Sequence, residues 1–293
     1  MLKIEGCGTA LVTPFTTSGE VDFDALRKLI KRQLDGGIDF LVPLGTTGET
    51  PCLEDEEKTK ILAIVKEVTD GKVPVVAGAG SNCTKTVLKN IELLDRYGAD
   101  AFLVVVPYYN KPTQQGIYDH FRTVASSTDK PVILYNVPGR TGVNMSAETT
   151  LRLSAISNII AVKEASGNMP QIMEIIRNAP VGFRTFSGND DNTLEMMSAG
   201  GRGVISVASN IMPELVVRLT KLLLSGRIDE AKKLNDNLMP LFKNCFIESN
   251  PIPVKGALFS QGLISNILRS PLTSALPQTI DIMKQTIDDL KTL

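Results

Sequence analysis

The residue of this chain that is best placed to carry out a chemical reaction is Lys163, which follows directly on the apolar run 159–162. Such a run predicts a buried strand, and residues 166–168 after it predict a loop that opens a helix. A lysine at the end of a buried strand holds its amine near low-dielectric surroundings. This favours the neutral form and frees the lone pair to attack a carbonyl carbon. The alternative on this segment alone is a lysine that reaches past the strand end into solvent or an ion pair.

Polar side chains with binding potential follow two other apolar runs. In residues 45–49, two glycines permit a tight turn, and the hydroxyls of Thr46 and Thr47 could hold a carboxylate together with nearby amides. Tyr135 ends another run with a phenol, and Arg140 comes shortly after it. A guanidinium beside a pocket can grip a carboxylate with two hydrogen bonds, whereas most loop arginines are solvated.

Three further apolar runs end in weaker signals. Tyr108 and Tyr109 are adjacent in a loop bounded by prolines, where aromatic rings could equally serve interface packing. Gly188 and Ile205 lie at the ends of the last two runs, and simple strand termination explains them as well. These signals become informative only if the fold brings them together with Lys163.

The apolar runs are spaced for a parallel barrel. Amphipathic stretches such as 24–34 and 56–68 separate them, and this strand–helix alternation predicts right-handed βαβ units and a parallel sheet. Eight strands fit a (β/α)8 TIM barrel; a doubly wound open sheet is the alternative, but no G-x-G-x-x-G turn follows the first strand. The predicted strands are residues 8–12, 40–44, 73–77, 101–106, 132–135, 159–162, 183–186 and 203–207. In a barrel the carboxyl ends of the strands form one catalytic face, where the polar groups above should converge.

The alternation stops near residue 225. Residues 229–246, 253–261 and 277–293 have helical periodicity instead, and prolines separate these segments. We therefore predict a catalytic (β/α)8 barrel over residues 1–224 and a C-terminal helical domain over residues 225–293, packed on the barrel.

The composition excludes several classes of function. The chain of 293 residues is 43% hydrophobic and 22% charged, as in ordinary globular proteins. Its formal net charge of -1 gives no basic field that would attract nucleic acid or an anionic membrane. No apolar stretch approaches the roughly 20 residues of a membrane span, and the first residues lack the apolar core of a signal peptide. The four scattered cysteines suggest no disulfide framework, so a cytoplasmic location is expected.

The single histidine limits the available catalysts. His120 lies in the middle of a predicted amphipathic helix, and we expect no chemistry from it. A multi-histidine metal site within one chain is therefore excluded, and a Ser-His-Asp triad has only this poorly placed candidate. Any aldol-type chemistry would have to use an amine rather than a zinc ion, so no metal site is expected.

Together these motifs resemble those of the pyruvate-dependent class I aldolases, a superfamily of barrels with a Schiff-base lysine, and within it the dihydrodipicolinate synthase family. The resemblance covers essentially the whole chain, from residues 8–15 to residues 250–255. The superfamily motifs are residues 45–49, Tyr135 with Asn136 and Pro138, and Lys163. The family-specific motif is residues 139–142, because sialic acid lyases resemble this chain elsewhere but lack an arginine equivalent to Arg140.

The resemblance implies a lyase that condenses pyruvate with L-aspartate-4-semialdehyde to give 4-hydroxy-tetrahydrodipicolinate, on the route to diaminopimelate and lysine. Lys163 would form an imine with pyruvate, and because the protonated imine is itself the electron sink, no metal or organic cofactor is expected. Tyr135, Thr46 and Tyr109 would relay protons. In the family the tyrosine equivalent to Tyr109 comes from a neighbouring subunit, and a homotetramer built from dimers is implied.

The resemblance also implies which residues bind the two small-molecule substrates. Thr46 and Thr47 would hold the pyruvate carboxylate, and Gly188 and Ile205 would add backbone contacts near the imine. Arg140 would hold the carboxylate of the semialdehyde at the mouth of the barrel.

Two alternatives remain. Another Schiff-base pyruvate aldolase, such as a sialic acid lyase or a keto-deoxy sugar-acid aldolase, would share Lys163 and Tyr135, and only Arg140 separates it from a synthase. A non-catalytic barrel that binds a keto acid is the alternative of a different class. Binding alone does not need the lysine, both tyrosines and the threonine of a proton relay.

Regulation is predicted from a departure from the family pattern. Feedback-inhibited members bind lysine at a subunit interface through an asparagine, a glutamate and a tyrosine. Asn82 and Tyr108 match, whereas Thr86 stands at the glutamate position, and Asp55 and Lys58 align with histidines of some inhibited members. A ligand ammonium taken out of water needs a carboxylate or several acceptors. We therefore predict a vestigial lysine site and little or no inhibition by lysine.

Overall fold

The computed structural model describes residue 2 and residues 4–291 of the chain. Within this part, eight strands lie at the predicted places. They are β1 (Gly6–Ala10), β2 (Phe40–Val42), β3 (Val76–Gly78), β4 (Ala101–Val105), β5 (Val132–Asn136), β6 (Ile159–Glu164), β7 (Arg184–Ser187) and β8 (Gly203–Ser206). Residues 1 and 3 of the predicted barrel domain, and the last two residues of the helix predicted over 277–293, lie outside the described residues.

The strands form one parallel sheet that closes on itself. Its order is β2-β1-β8-β7-β6-β5-β4-β3, and the two ends of this order, β2 and β3, meet through main-chain hydrogen bonds. The Leu41 amide donates to the Pro74 oxygen over 3.0 Å, and the Gly78 amide donates to the Pro43 oxygen over 3.0 Å. The predicted (β/α)8 TIM barrel is therefore confirmed.

Two strand boundaries differ from the apolar pattern for local reasons. β3 begins only at Val76, because Pro74 has no amide hydrogen for the ladder and Val75 forms only an isolated bridge. β1 ends at Ala10 although the buried run continues, since the Val12 amide donates to the side chain of Asn210 over 3.1 Å. Hydrophobicity thus marks burial correctly here, but not the extent of the ladder.

Helices alternate with the strands around the barrel. Asp22 caps the first of them by accepting a hydrogen bond from the Ala25 amide, and Asn168 caps the helix after β6 through the Gln171 amide, so the loop predicted at 166–168 is confirmed. No helix among the described residues is long and apolar enough to cross a membrane. The helices are α1 (Phe23–Asp35), α2 (Asp55–Thr69), α3 (Thr84–Asp95), α4 (Gln114–Ala125), α5 (Pro138–Thr141), α6 (Ala147–Ser154), α7 (Met169–Asn178), α8 (Thr193–Ser198), α9 (Pro213–Leu224), α10 (Ile228–Asn244), α11 (Ile252–Ser260) and α12 (Pro277–Leu290).

The hydrophobic core has two layers. Inside the barrel, the Phe40 and Phe186 rings meet edge to face, with centroids 5.5 Å apart. Outside it, the apolar faces of the helices pack on the sheet, as Leu26 and Ile30 of α1 do. Each fully buried side chain of this size stabilises the fold by about 1.5–3 kcal/mol. The barrel interior is therefore a packed core rather than a pore.

The last three helices form the C-terminal extension. Leu238 of α10, Val254 of α11 and Met283 of α12 belong to the same hydrophobic cluster as the helices of the barrel. Asn244 also joins α10 to α12, because its side-chain amide donates to the Thr286 hydroxyl over 2.8 Å. The predicted helical extension is confirmed, and the division of the chain into domains at residue 224 stays a prediction.

Candidate active site

A one-residue irregularity in β6 decides which way Lys163 points. Strand residues alternate between the two faces of a sheet, yet Ile160 and Ala161 both pack inside the barrel. The pairing of β6 with β5 slips by one residue at this point. Beyond the slip the alternation resumes, with Val162 in the outer layer and Lys163 directed into the barrel mouth. Without this bulge, the same strand would turn Lys163 toward the helices.

Lys163 lies in a cavity of about 520 Å³ at the carboxyl ends of the strands. It is only 5% exposed. Tyr135 is its direct neighbour across the β5–β6 ladder, and the Lys163 Nζ lies 4.4 Å from the centre of the Tyr135 ring. Six of the eight predicted catalytic and substrate-binding residues line this cavity: Lys163, Tyr135, Thr46, Thr47, Arg140 and Gly188.

The turn after β2 presents two hydroxyl groups to the cavity. Residues Thr46–Gly48 form a 3-10 turn, and the buried Thr13 hydroxyl fixes it by donating to the Gly48 oxygen over 2.7 Å. The Thr47 hydroxyl accepts a hydrogen bond of 3.0 Å from the side-chain amide of Asn250. Hydroxyls and the amides of such a turn together suit a carboxylate ligand.

A buried ion pair supports this turn from behind. The Glu49 Oε1 accepts a hydrogen bond from the Lys255 Nζ over 2.6 Å, and both side chains are fully buried. Lys255 also donates to the Thr13 oxygen over 2.9 Å and lies 4.2 Å from the centre of the Phe15 ring. Burial lowers the pKa of Lys255 to about 8, and the Glu49 carboxylate opposes that shift. Losing one partner would leave a buried charge, so the pair holds the loops after β1 and β2 in one arrangement.

Arg140 projects from the short helix α5 at the rim of the cavity. α5 starts with Pro138, whose ring suits a first helical turn, and is followed by Gly142 at a φ of 74°, a conformation that favours glycine. Arg140 is exposed, and its Nη2 donates to the Asn250 oxygen over 3.2 Å. This contact orients the guanidinium and leaves its other N–H groups for an anionic ligand.

The ends of β7 and β8 form another part of the cavity wall. A Cβ at Gly188 would lie 2.6 Å from the Cβ of Ala165, so only glycine fits this wall. The buried Asp190 accepts hydrogen bonds from the amides of Val207 and Ala208, at 2.9 and 3.1 Å, and anchors the turn after β8. Burial raises the pKa of Asp190, and these hydrogen bonds oppose the shift.

Glu164 follows Lys163 and points the opposite way, into the layer between sheet and helices. Its carboxylate accepts hydrogen bonds from the Ser166 amide at 2.8 Å, from Asn136 at 3.1 Å and from Gln171 at 3.2 Å. Burial raises the pKa of Glu164, and the hydrogen bonds to its ionised form oppose that shift. The network ties β5, β6 and α7 together and so fixes the strand end that carries Lys163.

Two predicted site residues do not line the cavity. Tyr109 is 87% exposed, and its backbone has a φ of 72°, in the left-handed region that is unfavourable for a bulky residue. Ile205 is fully buried in the barrel interior and pairs with Gly8 across the β1–β8 ladder. A single chain thus places neither residue in the cavity wall.

The predicted vestigial lysine site lies at one edge of the same cavity. Tyr108, Thr86 and Lys58 line this edge, whereas Asn82 does not. The Lys58 Nζ lies 2.9 Å from the Asp55 Oδ1 within α2. The carboxylate that could replace the missing glutamate is therefore already paired with a lysine of its own helix.

The histidine does not line this cavity. His120 lies in α4, as predicted, and is buried, with its Nδ1 2.9 Å from the Thr84 hydroxyl. Burial lowers the pKa of His120 to about 4, so the ring is neutral near pH 7. Among residue 2 and residues 4–291, no group of three His, Cys, Asp or Glu side chains is placed to hold a metal ion.

Sequence reasoning assigned no role to Asn250, Glu49 or Lys255. All three lie in segments that carry the family resemblance, but the two segments are far apart in the chain, since Glu49 and Lys255 are separated by 206 positions in sequence. The available signal is a single charged residue, Lys255, inside the otherwise apolar segment 251–259. Such a residue needs a buried partner, yet periodicity does not reveal which one.

A comparison with known families decides the assignment. The sequence model of the dihydrodipicolinate synthetase family matches residues 3–290. The chain belongs to the dihydrodipicolinate synthetase family. The resemblance found in the motifs is thereby confirmed over nearly the whole chain, including the C-terminal helices.

Three synthases are similar to the chain over nearly their whole length. The 4-hydroxy-tetrahydrodipicolinate synthase of Phocaeicola vulgatus is 47% identical over 290 residues, which cover 99% of this chain and 98% of that protein. A crystal structure of dihydrodipicolinate synthase from Thermotoga maritima is 42% identical, with a TM-score of 0.97 and 99% of both chains covered. A crystal structure of the Cyanidioschyzon merolae synthase with lysine bound is 40% identical, with a TM-score of 0.95 and 99% of both chains covered.

Proposed function

We propose that this protein acts as a 4-hydroxy-tetrahydrodipicolinate synthase, which condenses pyruvate with L-aspartate-4-semialdehyde in the biosynthesis of diaminopimelate and lysine. The observation that carries the proposal is the position of Lys163, which is only 5% exposed in the cavity and whose amine lies 4.4 Å from the centre of the Tyr135 ring. Membership of the family and the full-length similarity to named synthases support it.

The proposed reaction begins on Lys163. Its neutral amine attacks the ketone carbon of pyruvate, and uptake of one proton with loss of water gives a protonated imine. Loss of a methyl proton turns the imine into an enamine, whose terminal carbon forms the new bond to the aldehyde carbon. The amino group brought by the semialdehyde then attacks the imine carbon, closes the ring and releases the Lys163 amine. The net balance is pyruvate plus semialdehyde to cyclic product plus water.

The surrounding groups suit these steps. We assign the pyruvate carboxylate to Thr46 and Thr47, where the turn is held from behind, and a backbone contact near the imine to Gly188. The same role for Ile205 stays a prediction, because this residue does not line the cavity of a single chain. The Tyr135 phenol, across the ladder from Lys163, would exchange protons with the reacting atoms together with Thr46. Because these donors are neutral, they do not repel the positive charge that appears on the imine.

Arg140 would recognise the second substrate, the semialdehyde, and not pyruvate. It lies at the rim of the cavity and is exposed in the free protein, so it is accessible to the carboxylate of the incoming semialdehyde. A bidentate contact there would aim the aldehyde at the enamine. Binding of the semialdehyde carboxylate by Arg140 would distinguish a synthase from a sialic acid lyase, a keto-deoxy sugar-acid aldolase or a non-catalytic barrel.

The third member of the proton relay would come from a second copy of the chain. Tyr109 is 87% exposed and its loop holds it in a left-handed conformation, which suits a side chain presented outward. We infer that it enters the cavity of a neighbouring subunit and that the enzyme is a homotetramer built from dimers. The cytoplasmic location and the absence of a cofactor stay predictions.

The proposal is tested by a coupled assay with the purified protein. Pyruvate and L-aspartate-4-semialdehyde should be consumed in equal amounts, with the cyclic product followed through its enzymatic reduction. N-acetylneuraminate is the control substrate, and its cleavage to pyruvate should not exceed the background. Turnover of the control in place of the semialdehyde would assign the chain to the lyases instead.

A further inference from the structure

Asn250 contacts both groups that bind carboxylates in the proposed function. Its side-chain Nδ2 donates to the Thr47 Oγ1 over 3.0 Å, and its main-chain oxygen accepts from the Arg140 Nη2 over 3.2 Å. It is 5% exposed and lies in the cavity wall with both partners. One residue of the C-terminal segment therefore joins the pyruvate side of the cavity to the semialdehyde side.

The direction of the bond to Thr47 has a consequence for pyruvate. Because the Thr47 oxygen accepts this hydrogen bond, its own hydrogen is free to be donated elsewhere. A carboxylate can only accept hydrogen bonds, so Asn250 prepares Thr47 as a donor toward it. This part of its role is support for a residue already assigned.

The side-chain oxygen of Asn250 indicates a direct contact with a ligand. The Asn250 Oδ1 is buried, yet it meets no hydrogen-bond donor from the residues that the structure describes. A buried acceptor without a partner is destabilising, and in a cavity wall it suits a donor supplied by a ligand. Pyruvate carries no donor at neutral pH, whereas the semialdehyde carries an α-ammonium group.

The chemistry of the semialdehyde places that ammonium close to Asn250. Its ammonium and its carboxylate are attached to the same carbon atom, so a carboxylate held by Arg140 brings the nitrogen next to the residue that Arg140 itself contacts. We propose that Asn250 is a specificity-determining residue whose Oδ1 accepts a hydrogen bond from the α-ammonium of the semialdehyde. The inference rests on the proposed function and names the group that selects an amino-acid aldehyde.

The experiment compares two ligands that differ only in the amine. Aspartate semialdehyde is the substrate, and succinate semialdehyde, which has the same aldehyde and carboxylate without the amine, competes with it. The discrimination is the Ki of succinate semialdehyde divided by the KM of aspartate semialdehyde. It is measured for the wild type, Asn250→Ala and Asn250→Asp. Asn90→Ala is the matched control, because Asn90 lines the same cavity but donates its amide to the Ala79 oxygen.

We expect Asn250→Ala to lower the discrimination about tenfold or more, because a hydrogen bond to a charged group is lost. Asn250→Asp should raise it, since a carboxylate pairs more strongly with an ammonium, and Asn90→Ala should leave it unchanged. Far-UV circular dichroism shows that each variant is folded, and trapping with borohydride at saturating pyruvate shows that Lys163 still forms the imine. If Asn250→Ala does not fold, Asn250→Asp alone decides.

Unchanged discrimination in the folded Asn250 variants would overturn the inference and leave Asn250 as a support of Thr47, visible only as a raised KM for pyruvate. A wild-type protein that does not turn over aspartate semialdehyde at all would contradict the proposed function instead. The two failures are therefore distinguishable.

Discussion

The Arg140 Nη2 donates a hydrogen bond to the main-chain oxygen of Asn250 over 3.2 Å, which joins the rim of the barrel to a segment 110 positions further along the chain. The oxygen holds one edge of the guanidinium without neutralising its charge. Arg140 is therefore oriented before a substrate carboxylate arrives, which reduces the entropy lost on binding.

Replacing Arg140 should separate the two halves of the reaction. Because the guanidinium is exposed in the free protein, we expect Arg140→Ala to cost about 2 kcal/mol, or roughly a thirtyfold fall in kcat/KM for the semialdehyde. Imine formation with pyruvate should stay close to wild type in borohydride trapping, and Arg140→Lys should be intermediate because it keeps the charge but not the fork. If trapping and turnover fall together, Arg140 is structural.

Tyr109 should act in the cavity of another subunit. Tyr109→Phe and Lys163→Ala are each expected to lose activity about a hundredfold or more. Co-expressed with two different tags and purified as a hybrid, the two variants should recover activity, because the intact lysine of one chain then meets the intact tyrosine of the other. A hybrid no more active than the two variants separately would argue that Tyr109 acts within its own chain or not at all.

Lysine should inhibit this enzyme little or not at all at millimolar concentration. Thr86 offers no carboxylate, Lys58 adds a cation to the same edge of the cavity, and Asp55 is already paired with Lys58 at 2.9 Å. The gain-of-function variant Thr86→Glu should produce a saturable inhibition curve. The opposite result is saturable inhibition of the wild type that mutation of Tyr108 or Asn82 abolishes, and it would show that the site still works.

His120 should make the fold sensitive to acid. Its pKa is about 4 in the folded protein and near 6.5 when unfolded, so the unfolded state binds the proton first as the pH falls. The contribution of His120 to the free energy of unfolding is fully present above pH 6.5 and is lost as the pH falls toward 4. The loss amounts to about 2 kcal/mol at pH 5. Urea unfolding of wild type and His120→Asn at several pH values measures this difference. Equal pH slopes in the two proteins would exclude His120 as the cause.

The sequence was sufficient for the strand order and for most of the cavity, because apolar periodicity places each strand end and a parallel barrel brings the ends together. It was not sufficient for the direction of Lys163. The bulge at Ile160 and Ala161 leaves no trace in an uninterrupted apolar run, although it decides which face of the sheet the lysine occupies.

Polar contacts between residues far apart in the chain also could not be predicted from the sequence. Asn250 and Thr47 are 203 positions apart, and only the folded chain shows that one amide donates to the other's hydroxyl. Tyr109 is a different case, since its predicted role depends on a second copy of the chain. The family resemblance supplied that role, and no pattern within one sequence could do so.

The most direct test of the account is reductive trapping of the pyruvate imine. Protein incubated with pyruvate and borohydride should gain one pyruvyl adduct per chain in intact-mass spectrometry, and peptide mapping should place it on Lys163. Lys255, the other buried lysine of this region, should stay unmodified because it is fully buried against Glu49. Adduct formation that persists in Lys163→Ala, or that maps to any other lysine, would contradict the central claim.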